Sequence, residues 1–203
     1  MSKPDASINP RIIENAKKEF LSHGFEKASL NTICANAGVT TGALYKRYSG
    51  KLELFEALVS SALHDIDVFF DQVEQRDYHL FDDGTLEAMW DISEKTYEEW
   101  VEFLYDRHDA IKLLLCSSEG TPYSGFIHDI AEKHTKKTMD FLNEVKLRGL
   151  PANDVSEDEL HILTSAYWCS MFEPIIHDFS KEKALRYVHT LIKFLNWQAV
   201  FGF

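Results

Sequence analysis

The feature that most constrains this chain is the run SLNTICANAGVTTGALY from Ser29 to Tyr45. Its punctuation allows little except two short helices joined by a tight turn. Ser29 has the chemistry of an N-cap, its hydroxyl accepting from an otherwise unpaired amide one turn on. Ile33 and Ala37 give the first helix one apolar side, with the small Cys34 between them. Gly38 falls where a left-handed residue closes a helix without a Cβ penalty. Thr40 can cap a second helix whose inward residues are Leu44 and Tyr48. A short helix, a glycine-containing turn and a second short helix with an exposed N-terminal end form a helix-turn-helix, the arrangement that lays one helix in the major groove of DNA.

Two such helices cannot bury a core alone, so flanking elements must brace them. Upstream, Ile12, Ile13, Ala16, Phe20 and Leu21 recur at helical spacing, with Asn9 as a cap, Pro10 in the first turn and Gly24 as the stop. Phe25 is expected to fold back onto that helix. Downstream, Ser49-Gly50-Lys51 marks a start. From there Leu54, Phe55, Leu58, Val59, Ala62, Leu63, Ile66, Phe69, Phe70 and Val73 sustain one apolar stripe. That helix runs to about residue 75 and links a first domain, residues 1–51, to a second, residues 52–203.

Charge supports the division. Residues 1–51 hold eight Lys or Arg against four Asp or Glu, whereas the remainder holds 13 basic and 29 acidic residues, within a net charge of −12. A basic end on an acidic body suits a protein in which only one end meets phosphates. No apolar run approaches the roughly 18 to 20 residues of a membrane span. The N-terminus lacks a secretory apolar core. The three cysteines, Cys34, Cys116 and Cys169, are widely spaced in apolar patterns and read as buried thiols. The expectation is a cytoplasmic protein.

Beyond the long helix, Asp77–Gly84 reads as a loop. A helix capped by Thr85 carries Leu86, Met89, Trp90, Tyr97, Trp100, Val101 and Leu104, and a short helix covers Arg107 to Cys116. Another stripe runs from Ile127 to Val145 and stops at Gly149 and Pro151. Ser156 and Glu159 form a capping box opening a helix that reaches His177 and bends at Pro174. A last helix starts at Ser180. Nothing alternates with the two-residue period of strands, so the reading is all-α with about nine helices. In the last helix Ala184, Leu185, Val188, Leu191, Ile192 and Leu195 face one way, while Tyr187, Phe194, Trp197 and Phe201 occupy much of the rest. A helix apolar on more than one side needs cover on more than one side. A second copy supplies it, giving a two-fold interface through Tyr187, Phe194, Trp197 and Phe201; burial in a larger single core is the alternative.

The run Ile33-Cys34-Ala35-Asn36-Ala37-Gly38-Val39-Thr40-Thr41-Gly42-Ala43-Leu44-Tyr45, followed by Tyr48, Lys51 and Leu54, resembles the N-terminal domain of TetR-family transcriptional regulators over roughly residues 8 to 60. Cys34 stands where that family usually has Ala, and Tyr48 where it usually has Phe; both preserve size class. The resemblance implies a homodimer on a palindromic double-stranded operator, repressing or less often activating. It implies a small-molecule effector in the C-terminal domain, and no catalytic activity. By the match, Thr41, Gly42, Ala43, Tyr45 and Lys46 face the groove. Thr41 can offer a hydroxyl to a base edge, Ala43 can touch a thymine methyl, and Lys46 can reach guanine or a phosphate. Tyr45 and Lys51 resemble phosphate anchors, the latter at a helix N-terminus. Ser29 and Asn31 can reach the same backbone or an outer base, and Arg47 is a weaker phosphate candidate. Tyr45 has core packing as its alternative role, and Thr40 reads as a cap.

The resemblance also implies an effector cavity lined from Trp90, Tyr97, Trp100, Phe103, Tyr123, Phe126, Trp168, Met171 and Phe172, with His128, His134, Tyr167 and Glu173 as polar members. Each of these can equally be core. No cofactor is expected. Nine histidines invite a metal site, but Glu173 and His177 share a helix face without a compact ligand cluster around them. No nucleophile elbow or phosphate-cradling glycine loop is present. The competing class is a helical small-molecule-binding or enzymatic protein whose N-terminal helices only pack.

Overall fold

A computed structural model describes residues 7–82 and 94–202. These form ten helices and, among the described residues, no strand: α1 (Ile8–Lys27), α2 (Leu30–Ala37), α3 (Thr41–Tyr45), α4 (Lys51–Asp82), α5 (Glu94–Asp106), α6 (His108–Cys116), α7 (Phe126–Leu147), α8 (Glu157–Ile176), α9 (Lys181–Phe194) and α10 (Trp197–Phe201). They divide into two compact units. The first takes in the chain as far as Asp67 together with Arg107–Ser124, and the second Val68–Asp106 together with everything from Gly125. The inclusion of α6 and its following loop in the first unit has no counterpart in the sequence reading, which put all of 52–203 together.

Within the first unit, Ile12, Ala16 and Phe20 of α1, Ile33 and Ala37 of α2, Leu44 of α3, Leu54, Phe55 and Val59 of α4, and Ile111, Leu113 and Leu114 of α6 are buried. Phe25 does fold back: its ring lies 5.9 Å from that of Phe20 and 5.6 Å from that of Phe55. Gly24 breaks the helical path of α1 with φ +72° and ψ 167°, a conformation an L side chain rarely tolerates. The α6 segment is stitched to the same unit. Lys17 pairs with Asp109 at 2.8 Å, the Phe25 amide donates to the Ser117 carbonyl at 2.8 Å, and Arg107 Nε donates to Asp65 at 2.7 Å.

Four sequence expectations change. The first helix begins at Ile8 after Ser7, so Asn9 is not its cap; Pro10 still sits in the first turn, where no helical amide bond is lost. Helix α4 continues through Asp82, where a loop from Asp77 was expected, because polar residues do not stop a helix without a Gly or Pro and none stands before Gly84. The last helix is two. Leu195 turns extended at φ −100°, ψ 96°, and Asn196 caps α10 by accepting from the Ala199 amide at 3.0 Å. Finally, only Cys34 is buried; Cys116 and Cys169 are exposed and no disulfide forms, since both lie on the outward sides of their helices. The capping box at Ser156 and Glu159 is present as read. Thr85, Leu86, Met89 and Trp90 lie outside the described residues. No described helix is long and apolar enough to cross a membrane.

Candidate nucleic-acid interface and a buried aromatic cluster

The helix-turn-helix is built by its caps. Ser29 Oγ accepts from the Thr32 amide at 3.3 Å, while the Ser29 amide itself donates to Glu19 Oε1 at 3.0 Å. Glu19 is 8% exposed. This inward carboxylate fixes where α2 starts, a function that sequence reading missed because an acid within a charged helical face gives no signal of burial. At the other end Gly38 adopts φ +64°, ψ 39°, and the Val39 amide reaches back to the Cys34 carbonyl at 3.0 Å. Burial pushes the Cys34 thiol up. Thr40 Oγ1 accepts from the Ala43 amide at 3.2 Å, so Thr40 is a cap. Helix α3 ends at Tyr45, and the chain continues through a turn in which the Tyr48 amide donates to the Leu44 carbonyl.

These caps anchor Leu44 in the core and leave Thr41, Gly42, Tyr45 and Lys46 exposed beside the half-buried Ala43. Tyr45 is 56% exposed, and its neighbour Leu44 carries the core contact. Asn31 is exposed at the start of α2. Arg47 is half-buried and donates from Nη1 to the Ala43 carbonyl at 2.9 Å, bracing α3. Lys51 is already engaged: its ammonium donates to the carbonyls of Glu26 at 2.8 Å and Ala28 at 3.2 Å, and lies 4.8 Å from the centre of the Phe25 ring. It bolts the chain after α1 onto the start of α4.

In the second unit, rings gather between α4, α5, α7 and α8. Trp100 lies 5.1 Å from Phe69, 6.0 Å from Phe70, 5.4 Å from both Phe103 and Trp168, and 5.9 Å from Phe172. Phe126 joins through Phe172 at 5.7 Å, and Met171 is buried. Trp168 donates from its indole to His134 Nδ1 at 2.9 Å. Burial drives the His134 imidazole down to about 4, so it is neutral near pH 7. Tyr97 and Tyr167 share a hydrogen bond, and burial raises both phenols.

Other expected members are elsewhere. Tyr123 belongs to the first unit, stacked 6.4 Å from Phe55, its hydroxyl toward Glu56. His128 is exposed beside His161, and Glu173 pairs with His177 at 2.9 Å. Trp90 lies outside the described residues. No group of three or more His, Cys, Asp or Glu side chains able to hold a metal occurs among the described residues. Of the residues expected at a dimer interface, Phe194 is 84% exposed, whereas Trp197 and Phe201 are buried at 7% and 0% within their own subunit. Trp197 packs 5.7 Å from Tyr167. Tyr187 is half-buried and donates to the Ser170 carbonyl at 3.0 Å.

A capped helix-turn-helix with an exposed second helix is the arrangement that lays one helix in the major groove of DNA. Comparison with known proteins bears on this arrangement. Residues 12–58 match the family described as bacterial regulatory proteins, tetR family. The chain is 26% identical over 137 residues to the HTH-type transcriptional regulator SrpR of Pseudomonas putida, covering 66% of this chain and 57% of that protein. It is 40% identical over 60 residues to the uncharacterized HTH-type transcriptional regulator TtgW of the same species, covering 30% of this chain and 45% of that protein. The matches thus span about half the length of these relatives. The fold is shared with a candidate fatty acid metabolism regulator of Clostridium perfringens (TM-score 0.56, 16% identity, 88% of this chain and 94% of that one). It is also shared with a candidate TetR-family regulator of Mesorhizobium loti (TM-score 0.51, 20% identity, 98% and 99%). The match to the tetR family thus rests on residues 12–58, and the solved structures share the fold of the rest of the chain.

Proposed function

We propose that this chain is a TetR-family transcriptional regulator that works in the cytoplasm as a homodimer, binds a palindromic operator and is released from it by a small-molecule effector, acting as a repressor. Residues 1–51 form the reading head and residues 52–203 the effector and dimerisation domain, with α4 as the link. The observation that carries the reading is the placement of Thr41, Gly42, Tyr45 and Lys46 on the exposed side of a helix pinned by Ser29, Gly38 and Thr40. In this reading Thr41 and Ala43 meet base edges, Gly42 allows close approach, and Lys46 and Tyr45 reach bases or phosphates. Asn31, Ser29 and Arg47 line the flanking backbone. Lys51 contributes its amide at the α4 N-terminus, its ammonium being engaged in the protein. The family consists of regulatory DNA-binding proteins, and the chain is assigned no reaction.

Dimerisation is supported by α8 and α9, which leave Ile162 68%, Leu163 39% and Phe194 84% exposed. Coupling is assigned to α4, which contributes to both units; an effector acts only by binding the DNA-competent and incompetent states unequally.

The test is selection of bound fragments from a genomic library by the purified full chain, followed by titration of the best fragment across salt. Affinity should fall linearly with log salt, by about 0.9 log unit per phosphate neutralised. Thr41→Ala should shift preference at one base position per half-site. Binding without sequence preference, or unchanged by Tyr45→Ala combined with Lys46→Ala, would refute the reading head.

A further inference from the structure

Trp100 carries a polar atom without a use. The residue is 4% exposed, and its indole Nε1 has no hydrogen-bond partner, the only buried side-chain nitrogen or oxygen so left among the described residues. The other polar atoms around the cluster are matched to one another: Trp168 to His134, and Tyr97 to Tyr167. Leaving a buried donor unmet costs about 1–3 kcal/mol, so such a group calls for a physical explanation, and an acceptor brought by a ligand is one. The surroundings define that ligand. Trp100 and Phe103 are stacked with an 11° interplanar angle, and Phe69, Phe70 and Phe103 are half-buried. Half-buried rings beside a buried donor offer a flat aromatic ring both stacking partners and a hydrogen bond. The groups facing Trp100 (Phe69, Phe70, Phe103, Trp168 and Phe172) carry no charge.

We propose that the Trp100 indole N–H anchors an uncharged, flat aromatic effector bearing a single hydrogen-bond acceptor, such as a carbonyl oxygen, seated against Phe103 and Phe69. This rests on the effector-responsive reading above and names the chemistry of its site. Because the acceptor meets a donor that has none, an acceptor-bearing ring is favoured over its hydrocarbon isostere by the hydrogen bond and by relief of the unmet donor together.

The experiment titrates the full-length protein calorimetrically with 2-acetylnaphthalene and with 2-isopropenylnaphthalene, which differ by an oxygen in place of a methylene. The ketone should bind about tenfold more tightly, and Trp100→Phe should reduce that preference below about twofold while leaving hydrocarbon binding nearly unchanged. Failure of both probes to bind, equal binding of the two, or survival of the preference in Trp100→Phe overturns the proposal. Should that variant not fold, the indole N–H resonance of the wild-type protein, identified by its contact with the Phe103 ring, decides. It should move downfield with the ketone and not with the hydrocarbon; an unmoved resonance overturns the assignment. Fragment binding measured in the same samples separates the two readings. Loss of ketone binding with DNA binding intact removes only the anchor, and ketone binding without change in DNA affinity removes the coupling.

Discussion

Lys51 shows how the tertiary structure can give a side chain a role that its place in the sequence does not suggest. Its position at the start of α4 suggests a phosphate anchor, yet its ammonium spans the Glu26 and Ala28 carbonyls and the Phe25 ring. Replacing it by Met keeps the aliphatic stem and removes those charge-assisted bonds, each worth about 1.5–3 kcal/mol, discounted here because the group is half-exposed. Lys51→Met should therefore lower the thermal midpoint by several degrees and weaken binding to all DNA sequences alike. The salt slope of the remaining binding should stay within about 0.3 of the wild-type value, because no phosphate contact by the ammonium is lost. A slope reduced by about 0.9 would restore the anchor role. Glu19 is the mirror case. As one acid among the charges of α1 it looks solvated, and only the tertiary structure turns it inward to hold the Ser29 amide.

At the scale of elements, caps were legible and extents less so. Ser29, Gly38, Thr40 and the Ser156–Glu159 box act where their chemistry places them, because a cap satisfies backbone groups within a few residues of itself. The end of α4 and the break before α10 depend on weaker contests. At Asn196 the side chain competes for backbone amides, and the break is held by distant partners: the Asn153 amide donates to the Phe201 carbonyl at 2.7 Å, and Asn153 Nδ2 to that of Val200 at 3.1 Å. The break turns Trp197 and Phe201 onto their own core rather than toward a second copy. Phe201→Ala should accordingly cost about 3–5 kcal/mol, read as a lower thermal midpoint. It should leave the mass of the particle in solution unchanged at concentrations where the folded protein persists. A monomer of undiminished thermal stability would show that Phe201 serves an interface instead.

For the whole molecule, the exposed apolar residues Ile162, Leu163 and Phe194 mark α8 and α9 as the surface that a second copy would cover. Ile162→Asp combined with Phe194→Asp should convert a dimer to a monomer by light scattering. Helical content should stay intact, and operator affinity should fall by two orders of magnitude or more once the two half-sites are read separately. A dimer persisting in that variant would place the interface elsewhere. The acidic body fits the same scheme, since a net charge of −12 with a basic N-terminal segment favours one orientation toward a polyanion.

The sequence by itself determined the helical class, the position of the helix-turn-helix and the exposed edge from Thr41 to Lys46, because periodicity and capping act over three or four residues. It also marked Trp100, Trp168 and Phe172 as aromatic wealth without deciding their use. Only the tertiary structure decided that Lys51 is a bolt, that Tyr123 packs on Phe55, that Trp197 and Phe201 turn inward, and that the Trp100 N–H is left without a partner. Each of those outcomes depends on which residues far apart in the chain meet, and the satisfaction of a buried polar atom is settled by its neighbours in space.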